Sequence, residues 1–547
     1  MQTNRTDTES AKRASGSAWL KVAVHFDAAR LAPGAWLTAL WWRVLGKKVR
    51  ARAQFAPLMA ASRHSYRLWL LNEPAPEISC AVEGPPIVAL VDAGPGQADT
   101  IASLCGQGLT VLPLRTPEVP DLAAAAEQID WNTAPWIMPL MAGDVLATRA
   151  VAAYRAAAVR AHGSIVYADD DILSTRGRRT APHFKPAWNA ELFRHFDYLT
   201  GACIVRTERD DFTRLSGADW AAELVAAVAE ESAGEGAPMR LPHVLHHRRL
   251  RPAPCVPAVF QSQKVALPKV SVIVPTRNRL DFLRTCLEGV ERTDYSDLEV
   301  IVVDNGSDDP ATLDYLANLD PARYRVLRAP GSFNFSTLNN RAAKVATGKL
   351  LCLLNNDIEV LSSDWLAIMA RQALRPGVGA VGARLLYPDG RIQHAGVVMG
   401  ICGGAAHAHR LLHPDEEGYF RRHALPQFVS AVTAACLVVK RERFEAVGGF
   451  EEKNFAVAFN DVDLCMRLNE RGWQTLYEPR ATLIHHESVS RGFDRDPIGA
   501  ARFASELAAL KAAWGTDRNT GEEVDPYHHP QFSRFSECFA VKLQDHS

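Results

Sequence analysis

Short apolar runs alternate with longer helical patterns along most of the chain. In the first half, strands are predicted at 87–91, 109–114, 136–140 and 164–167, and helices at 122–128 and 148–161. The alternation resumes sharply at Lys269, with buried strands predicted at 270–274, 298–303 and 350–354 and a helix at 281–292. Strands that alternate with helices are typical of an α/β sheet. The sequence therefore predicts two α/β units.

Proline clusters and changes in composition predict the boundaries of these units. Residues 251–268 are rich in proline and are expected to form a linker. The expected divisions are a disordered tail at 1–16, a helical segment at 17–84, an α/β domain at 85–250, the linker at 251–268, a second α/β domain at 269–500, and a helix and tail at 501–547. No fixed-period repeat is present, although the two α/β units are compatible with a diverged tandem pair.

Composition and charge narrow the class of protein. The 547 residues include 61 Lys+Arg and 62 Asp+Glu, for a formal net charge of −1. A near-neutral chain lacks the positive field that non-specific nucleic-acid binding needs, so no nucleic-acid partner is expected. The ten cysteines form no C-x-x-C pair, the first residues lack the apolar core of a secretory signal, and no apolar run is long enough for a transmembrane helix. These features favour a cytoplasmic, multidomain protein.

Residues 17–60 combine tryptophans with a basic cluster and allow two interpretations. An aromatic and basic helix can lie on the anionic inner face of a membrane as a peripheral contact. Alternatively, the tryptophans pack the helix on the next domain. The packing interpretation is favoured because Pro33 and Gly34 break the segment.

Acidic residues follow several predicted strands of the second unit. Asp304 and Asp357 each end a strand, Asp461 and Asp463 precede a helical segment, and 485–487 reads His-His-Glu. A single acid at a strand end is more often a turn former or a helix cap. However, open α/β sheets bind ligands at the carboxyl ends of their strands, and carboxylate oxygens with an imidazole suit Mg²⁺ or Mn²⁺.

An ordered set of motifs in the second unit resembles the catalytic domain of family 2 glycosyltransferases, which have the GT-A fold. The resemblance covers about 220 residues and rests on 269–279 (KVSVIVPTRNR), 303–307 (VDNGS), 334–336 (NFS), 339–340 (NN), 354–357 (LNND), 448–450 (GGF), 460–464 (NDVDL) and 485–488 (HHES). It implies a nucleotide-diphospho-sugar transferase fold with a Rossmann-like mixed sheet.

The resemblance also implies a role for each matching residue. Donor-nucleotide binding falls to Pro275, Thr276, Arg277, Asp304, Asn340 and Asn356. Asp357 and His485 are expected to hold Mg²⁺ or Mn²⁺ on the diphosphate, with His486 an open alternative to His485. The first acid of the family's metal motif is replaced by Asn355. Asp461 matches the general base, with Asn460 where the family often has Glu.

These roles predict an inverting transfer of a sugar from a nucleotide-diphosphate donor to a glycan or lipid-linked acceptor in cell-surface polysaccharide synthesis. A divalent cation stabilises charge on the departing diphosphate, and a carboxylate takes the proton of the acceptor hydroxyl. A nucleotidyltransferase is disfavoured because the loop 275–279 contains no glycine. A non-catalytic glycan-binding or scaffold protein of a polysaccharide assembly complex remains the alternative.

Two other patterns carry little weight. Residues 377–382 match G-x-G-x-x-G, but a dinucleotide site needs a strand before the motif and a helix after it. His407, His409 and His413 lack carboxylate or thiol partners at zinc-ligand spacing. The segments 393–396 and 407–409 are expected to border the acceptor pocket or to form surface loops.

The first α/β unit resembles the same family more weakly. Its segments 165–171 (IVYADDD), 184–188 (FKPAW) and 244–248 (VLHHR) match, but the loop after its first strand does not. Asp144 is the single acid where the metal motif is expected. We therefore expect a degenerate GT-A-like domain without donor turnover. The three acids at 169–171 leave open an acceptor site or a second activity.

Overall fold

The computed structural model describes residues 3–76, 84–215, 217–231, 236–258, 266–486, 497–515 and 524–543, with the side chains of 3–16 and of 231 left aside. Four helices come first in the chain: α1 (Thr3–Leu31), α2 (Pro33–Val44), α3 (Lys48–Ala60) and α4 (Ser65–Leu70). Helix α1 therefore includes most of the tail that polarity alone predicted to be disordered. Low hydrophobicity does not prevent a helix, because Ala, Lys, Arg and Glu all have good helix propensity.

The first sheet has eight strands. They are β1 (Ile87–Val91), β2 (Thr110–Pro113), β3 (Trp136–Leu140), β4 (Val145–Leu146), β5 (Ile165–Leu173), β6 (Arg179–His183), β7 (Cys203–Arg206) and β8 (Met239–Arg248). The accompanying helices are α5 (Gln97–Leu104), α6 (Leu122–Gln128), α7 (Ala150–Ala158), α8 (Ala190–Phe193), α9 (Arg209–Thr213) and α10 (Trp220–Glu231). The strand order is β2-β1-β3-β7-β5-β8-β4, with β6 on β5.

The second sheet has ten strands, and a separate pair lies beside it. The chain forms β9 (Val270–Thr276), β10 (Leu298–Asp304), β11 (Tyr324–Arg328), β12 (Leu350–Leu354), β13 (Ile358–Val360), β14 (Val378–Leu386), β15 (Ile392–His394), β16 (Val397–Met399), β17 (Ala405–His407), β18 (Gln427–Val429), β19 (Cys436–Lys440) and β20 (Gln474–His485). Its helices are α11 (Leu280–Glu291), α12 (Pro310–Ala317), α13 (Phe335–Ala343), α14 (Trp365–Ala373), α15 (Arg441–Ala446), α16 (Asn460–Glu470) and α17 (Pro497–Trp514). The main order is β11-β10-β9-β12-β19-β14-β20-β13.

The two sheets share one topology. If β1, β2, β3, β4, β5, β7 and β8 are matched to β9, β10, β12, β13, β14, β19 and β20, both the strand order and the parallel or antiparallel sense of every pairing agree. The first sheet lacks a counterpart of β11. The chain therefore contains two sheet-bearing α/β domains of the same architecture, as the sequence predicted.

The central strands are apolar because helices cover both faces of each sheet. In β12 all five residues are buried, and they divide by alternate position. Leu350, Cys352 and Leu354 join the core on one face. Leu351 and Leu353 join the core on the other face. A strand buried on both faces appears as a continuous apolar run, which explains why its position could be predicted from the sequence.

The G-x-G-x-x-G match lies inside strand β14 and not at a strand-to-helix turn. A Cβ on Gly382 would approach the side chain of Val432 to 2.4 Å, and one on Gly379 would approach the carbonyl oxygen of Trp473 to 2.6 Å. These glycines therefore serve close packing of the sheet. The dinucleotide interpretation is excluded, as the sequence context indicated.

Buried polar contacts join the two domains. Asn189, at the start of α8, donates to the carbonyl of Phe428 and accepts from its N–H. On the same helix, Glu191 pairs with Arg375 of the second domain at 2.5 Å. Burial on its own raises the pKa of Glu191, but the neighbouring His195 and Arg375 outweigh burial and lower that pKa to about 2.

Among the described residues, no helix has the length and apolar character needed to cross a membrane. The nine cysteines in the described ranges are free thiols.

Glu191→Gln should weaken the domain interface in a pH-dependent way. Because the folded-state pKa of Glu191 lies below its ordinary value of 4.5, its contribution is present above pH 4.5 and disappears as the pH falls toward 2. We expect a loss of about 3 kcal/mol at pH 7 and little difference from the original protein near pH 2. Urea unfolding across this range measures it. Asp211→Asn, in an exposed pair with Arg214, is the matched control. An equal effect of both variants would contradict the assignment.

Candidate active site

The site lies at the carboxyl edge of the second sheet. Strands β9, β10 and β12 are parallel, and the last residue of β10, Asp304, lies beside the last residue of β9, Thr276. Pro275 is buried in β9 opposite Val303, and Arg277 is the first exposed residue after the strand. Parallel strands that end together therefore place the 275–277 loop and Asp304 side by side.

Asp304 is buried, and its carboxylate forms an ion pair with an arginine at the edge of the sheet. One carboxylate oxygen accepts from the N–H of Ser307 at 2.9 Å, and the other lies 2.5 Å from the guanidinium of Arg328. Arg328 ends β11 directly opposite Asp304 in the parallel register. Its side chain is half-exposed, so this pair can exchange partners with a ligand. Arg328 was not predicted from the sequence. Its position at the end of the strand that follows β10 is the signal that could have indicated it.

The loops around Asp304 are held by amide side chains. The side-chain oxygen of Asn278 accepts from the N–H groups of Asp308 and Asp309, each at 3.0 Å. Asn356 donates to the hydroxyl of Thr276 at 3.1 Å. Both contacts join the β9 loop to its neighbours and fix the shape of the edge.

The side chain of Asn340, which was expected to bind the nucleotide, makes its hydrogen bonds to a neighbouring loop. Its amide nitrogen donates to the carbonyl of Phe450 and to the carboxylate of Glu452, and its oxygen accepts from the N–H of Phe450. These contacts brace the loop at 448–452. The structure thus shows Asn340 supporting a neighbouring loop, and its contact with a nucleotide stays a prediction.

Asp357 and His485 meet at the same edge. Asp357 precedes β13, and His485 ends β20, where it pairs with Ile358. The Nε2 atom of His485 lies 3.2 Å from Oδ1 of Asp357. On the other side of the ring, Nδ1 lies 2.8 Å from Oε1 of Gln393. A proton on Nδ1 donated to Gln393 leaves the Nε2 lone pair directed toward Asp357.

The neighbouring His486 lies elsewhere. Its Nε2 is 2.9 Å from the carboxylate of Glu359, and its ring lies against Phe282. Its backbone N–H donates to the carbonyl of Asp357 at 3.0 Å. Of the two candidate histidines, the structure therefore places His485 beside the Asp357 carboxylate.

The Asp357 and His485 pair fits a divalent cation that shares its coordination with a substrate. Magnesium takes ligands at about 2.1 Å in octahedral geometry, so two adjacent ligands lie about 3 Å apart. The observed separation of 3.2 Å matches that requirement. Within the described ranges no group of three or more His, Cys, Asp or Glu could hold a metal ion. A cation here would thus need donor phosphates and water, which is the usual arrangement for Mg²⁺.

Asp461 provides a third carboxylate near this edge, after Asp304 and Asp357. It lies in the first turn of α16, half-buried, and accepts from the N–H of Ala434 at 3.1 Å. The adjacent Ala435 accepts from the N–H of Asn355, two residues before Asp357. Asp461 and Asp357 are thereby joined through a short stretch of backbone.

The neighbouring acid Asp463 is committed to the interior. Its carboxylate pairs with Arg467 at 2.7 Å and accepts from the indole N–H of Trp514 at 3.2 Å. Among the ion pairs found for the described residues, Asp463 is thus the acid of the NDVDL motif that pairs with an arginine, and the role of Asp461 stays a prediction.

The first domain has the same edge but a different charge arrangement. His247 pairs with Val145 in β4 as His485 pairs with Ile358, so Asp144 and His247 occupy the places of Asp357 and His485. Burial raises the pKa of Asp144 to about 6, although the nearby Arg248 opposes the shift. Arg248 lies 3.7 Å from the Asp144 carboxylate. Asp144 therefore has an internal guanidinium beside it, whereas the ion pair found for Asp357 is with His485.

The three consecutive acids of the first domain are fully buried and paired inside the fold. Asp169 contacts His529 at 2.8 Å, and Asp170 contacts Lys185 at 2.9 Å and Arg251. Burial raises the pKa of Asp170, but Lys185, Arg251 and Arg248 together lower it well below its ordinary value. Asp171 binds Arg179, His247 and the hydroxyl of Tyr66. These contacts leave the acids no open face for an acceptor.

Part of the second domain is similar to a known family. Residues 271–442 match the family described as glycosyl transferase family 2. The match lies within the second domain, which is therefore similar to glycosyl transferase family 2 over this range.

Several curated relatives extend beyond this domain. The uncharacterized protein y4gI of Sinorhizobium fredii is 38% identical over 68% of this chain and 45% of its own length. The O-antigen biosynthesis protein RfbC of Myxococcus xanthus is 35% identical over 68% of this chain and 31% of its own length. An N-acetylglucosaminyl-diphospho-decaprenol L-rhamnosyltransferase of Mycobacterium tuberculosis is 28% identical over 44% of this chain and 80% of its own length. The chain thus spans less than half of the first two relatives.

Asp170→Asn and Asp357→Asn should differ in their effect on stability. Asp170→Asn leaves buried Lys185 and two arginines without their anion, which is expected to cost about 3–5 kcal/mol. Asp357→Asn removes a carboxylate whose near neighbour is the imidazole of His485, at 3.2 Å, so we expect a change below about 1 kcal/mol. Urea unfolding at pH 7 measures both. Equal losses would show that the two edges are held by the same kind of contact.

Proposed function

We propose that the protein is an inverting glycosyltransferase that uses a nucleotide-diphosphate sugar with Mg²⁺ or Mn²⁺. The observation that carries this proposal is the convergence of Asp304, the Asp357 and His485 pair, and Asp461 at one sheet edge. Each group has different contacts, and we assign each a different part of the substrates: Asp304 the nucleoside, Asp357 and His485 the diphosphate, and Asp461 the acceptor.

On the donor side, the 275–277 loop and Asp304 bind the nucleoside, with Asn356 holding the loop in place. Asp357 and His485 hold the cation, which when bound neutralises charge on the departing diphosphate. Gln393 orients His485 through its Nδ1 proton, as second-shell partners of metal-binding histidines commonly do.

On the acceptor side, Asp461 takes the proton of the attacking hydroxyl. The hydroxyl oxygen bonds to the anomeric carbon as the bond from that carbon to the phosphate oxygen breaks. The nucleoside diphosphate leaves with the bonding electron pair, and the proton stays on the Asp461 carboxylate. A single displacement from the face opposite the leaving group inverts the anomeric configuration, and only one free acid is required for it.

For the substrates, we propose a hexosyl or deoxyhexosyl donor and a glycan or lipid-linked acceptor of cell-surface polysaccharide synthesis, used in the cytoplasm. The names of the M. xanthus and M. tuberculosis relatives support the class of product and acceptor. The free thiols of the described cysteines agree with a reducing compartment.

For the first domain, we propose a supporting role without donor turnover. Arg248 beside Asp144, together with the pairing of 169–171 inside the fold, supports this role. The contacts of α8 with Phe428 and Arg375 attach this domain to the catalytic one.

Asp461→Asn should abolish most of the transfer while leaving donor binding intact. Loss of a general base typically costs 10²- to 10⁴-fold in rate, because the hydroxyl must then ionise unaided. Transfer of labelled sugar to an extracted lipid-linked acceptor measures the rate, and calorimetry measures donor binding. Asp463→Asn is a matched control that removes the neighbouring buried acid. Transfer that survives Asp461→Asn would contradict the assignment of the base.

Asp357→Ala should remove metal-dependent donor hydrolysis. A panel of UDP-, dTDP- and GDP-sugars is incubated with the protein and Mn²⁺, and release of nucleoside diphosphate is followed with and without EDTA. We expect one donor to be hydrolysed slowly, and both EDTA and Asp357→Ala to stop the release. Hydrolysis that persists in EDTA would contradict the proposed cation site.

A further inference from the structure

Helices α1 and α2 turn apolar side chains toward solvent at helical spacing. On α1 the exposed residues follow the pattern i, i+3, i+7, and on α2 the pattern i, i+3, i+4, i+7. The residues of these patterns are Trp19, Val22 and Phe26 on α1, and Leu37, Leu40, Trp41 and Val44 on α2; Leu31, at the end of α1, is also exposed but lies off the pattern. Trp19 is 56% exposed and Trp41 is 60% exposed. We call these seven residues the N-terminal apolar face.

The opposite sides of these helices pack against one another, which leaves the apolar face toward solvent. Leu20, Val24 and Ala28 of α1 are buried, and Ala39 of α2 and Ala51 of α3 are buried beneath the helices. The rings of His25, Trp36 and Phe55 pack edge to face among the three helices. The interior of the helical segment is thus formed by other residues. The seven residues of the apolar face are not needed to pack the helices together, so their apolar character needs another explanation.

The sequence prediction for 17–60 is corrected by these contacts. The favoured interpretation placed the tryptophans of this segment against the next domain. Instead, Trp19 and Trp41 face outward and Trp36 packs within the helices. The tryptophan that reaches the next domain is Trp69 of α4, which packs on Phe184. Proline at the start of α2 does not disrupt the segment, because the first turn of a helix tolerates it.

Nearly all charged residues of the segment that carries this face are basic. Residues 17–60 contain seven basic residues, Lys21, Arg30, Arg43, Lys47, Lys48, Arg50 and Arg52, and one acid, Asp27. The carboxylate of Asp27 accepts from the hydroxyl of Ser62 at 2.7 Å. Lys47, Lys48 and Arg50 are exposed where α2 turns into α3. Exposed apolar side chains thus lie beside a basic group with almost no acidic counterpart.

We propose that the N-terminal apolar face lies in the interfacial region of an anionic lipid bilayer, with Lys47, Lys48 and Arg50 on the headgroups. Tryptophan and aliphatic side chains on one side of a helix suit the boundary between headgroups and acyl chains. Basic residues beside them are attracted to anionic lipid. A bilayer matches both features, whereas a second copy of the face would bring like charges together.

This binding would position the rest of the molecule. Helix α4 links the segment to the first domain through Tyr66 on Asp171 and Trp69 on Phe184. The proposal does not depend on the reaction proposed above, because it concerns a surface on different helices.

Vesicle co-sedimentation of the full chain tests the proposal. The protein is mixed with vesicles of phosphatidylcholine containing phosphatidylglycerol, and with vesicles of phosphatidylcholine alone. We expect binding to the anionic vesicles that weakens as salt is added. The triple variant Lys47→Gln, Lys48→Gln, Arg50→Gln should lower the partition coefficient roughly 100-fold. The double variant Leu37→Gln, Trp41→Gln should lower it at least about tenfold.

The matched control changes two exposed apolar residues outside the helices, Val159→Gln and Leu250→Gln, and should bind as the original protein does. Thermal unfolding confirms that each variant is folded. No binding to anionic vesicles, or equal binding by all variants, would overturn the proposal. A dimer in light scattering that Leu37→Gln, Trp41→Gln converts to a monomer would also overturn it, in favour of a second copy.

Discussion

Three parallel strands that end level with one another are the constraint on which the second domain depends. Strands β9, β10 and β12 are buried on both faces, so their register is set by packing on two cores. Polar residues in these strands lie near the ends, with Ser271 and Glu299 paired at the amino edge and Thr276 and Asp304 at the carboxyl edge, where open α/β sheets bind ligands. His485 lies at the same edge because β20 pairs in parallel with β14 and its last residue lies opposite Ile358 of β13. Four separate stretches of sequence thus deliver their polar side chains to one place.

The two domains show how one topology supports opposite electrostatics. In the second, Asp357 faces His485. In the first, Lys185, Arg248 and Arg251 surround Asp170, and the tail contributes His529 to Asp169. Buried cations of this kind bring their own desolvation cost and are stable only while every partner is present. We infer that the first edge is used for holding the N-terminal and C-terminal segments to the fold.

Much of the second domain could be predicted from the sequence. Continuous apolar runs such as 350–354 mark strands buried on both faces, and the acids that follow them mark the ligand edge. Other features depended on contacts between distant residues. The pairing of Arg328 with Asp304, and of Gln393 with His485, follows from strand register and has no local signal. The start of strand β14 could not be predicted as an apolar run, because Trp473 and Val432 leave no space for a side chain at Gly379 and Gly382. The exposed tryptophans were misjudged because an amphipathic pattern shows which residues share a face but not which face meets water.

The stoichiometry of donor binding tests the account's central claim, that a single sheet edge of the two carries out the chemistry. Calorimetry of the full chain with the hydrolysed donor's nucleoside diphosphate and Mn²⁺ counts the binding sites per chain. We expect one binding site per chain. Asp357→Ala should abolish binding at this site, and Asp144→Asn should leave it unchanged. Two sites per chain, or one site that Asp144→Asn removes and Asp357→Ala leaves intact, would contradict it.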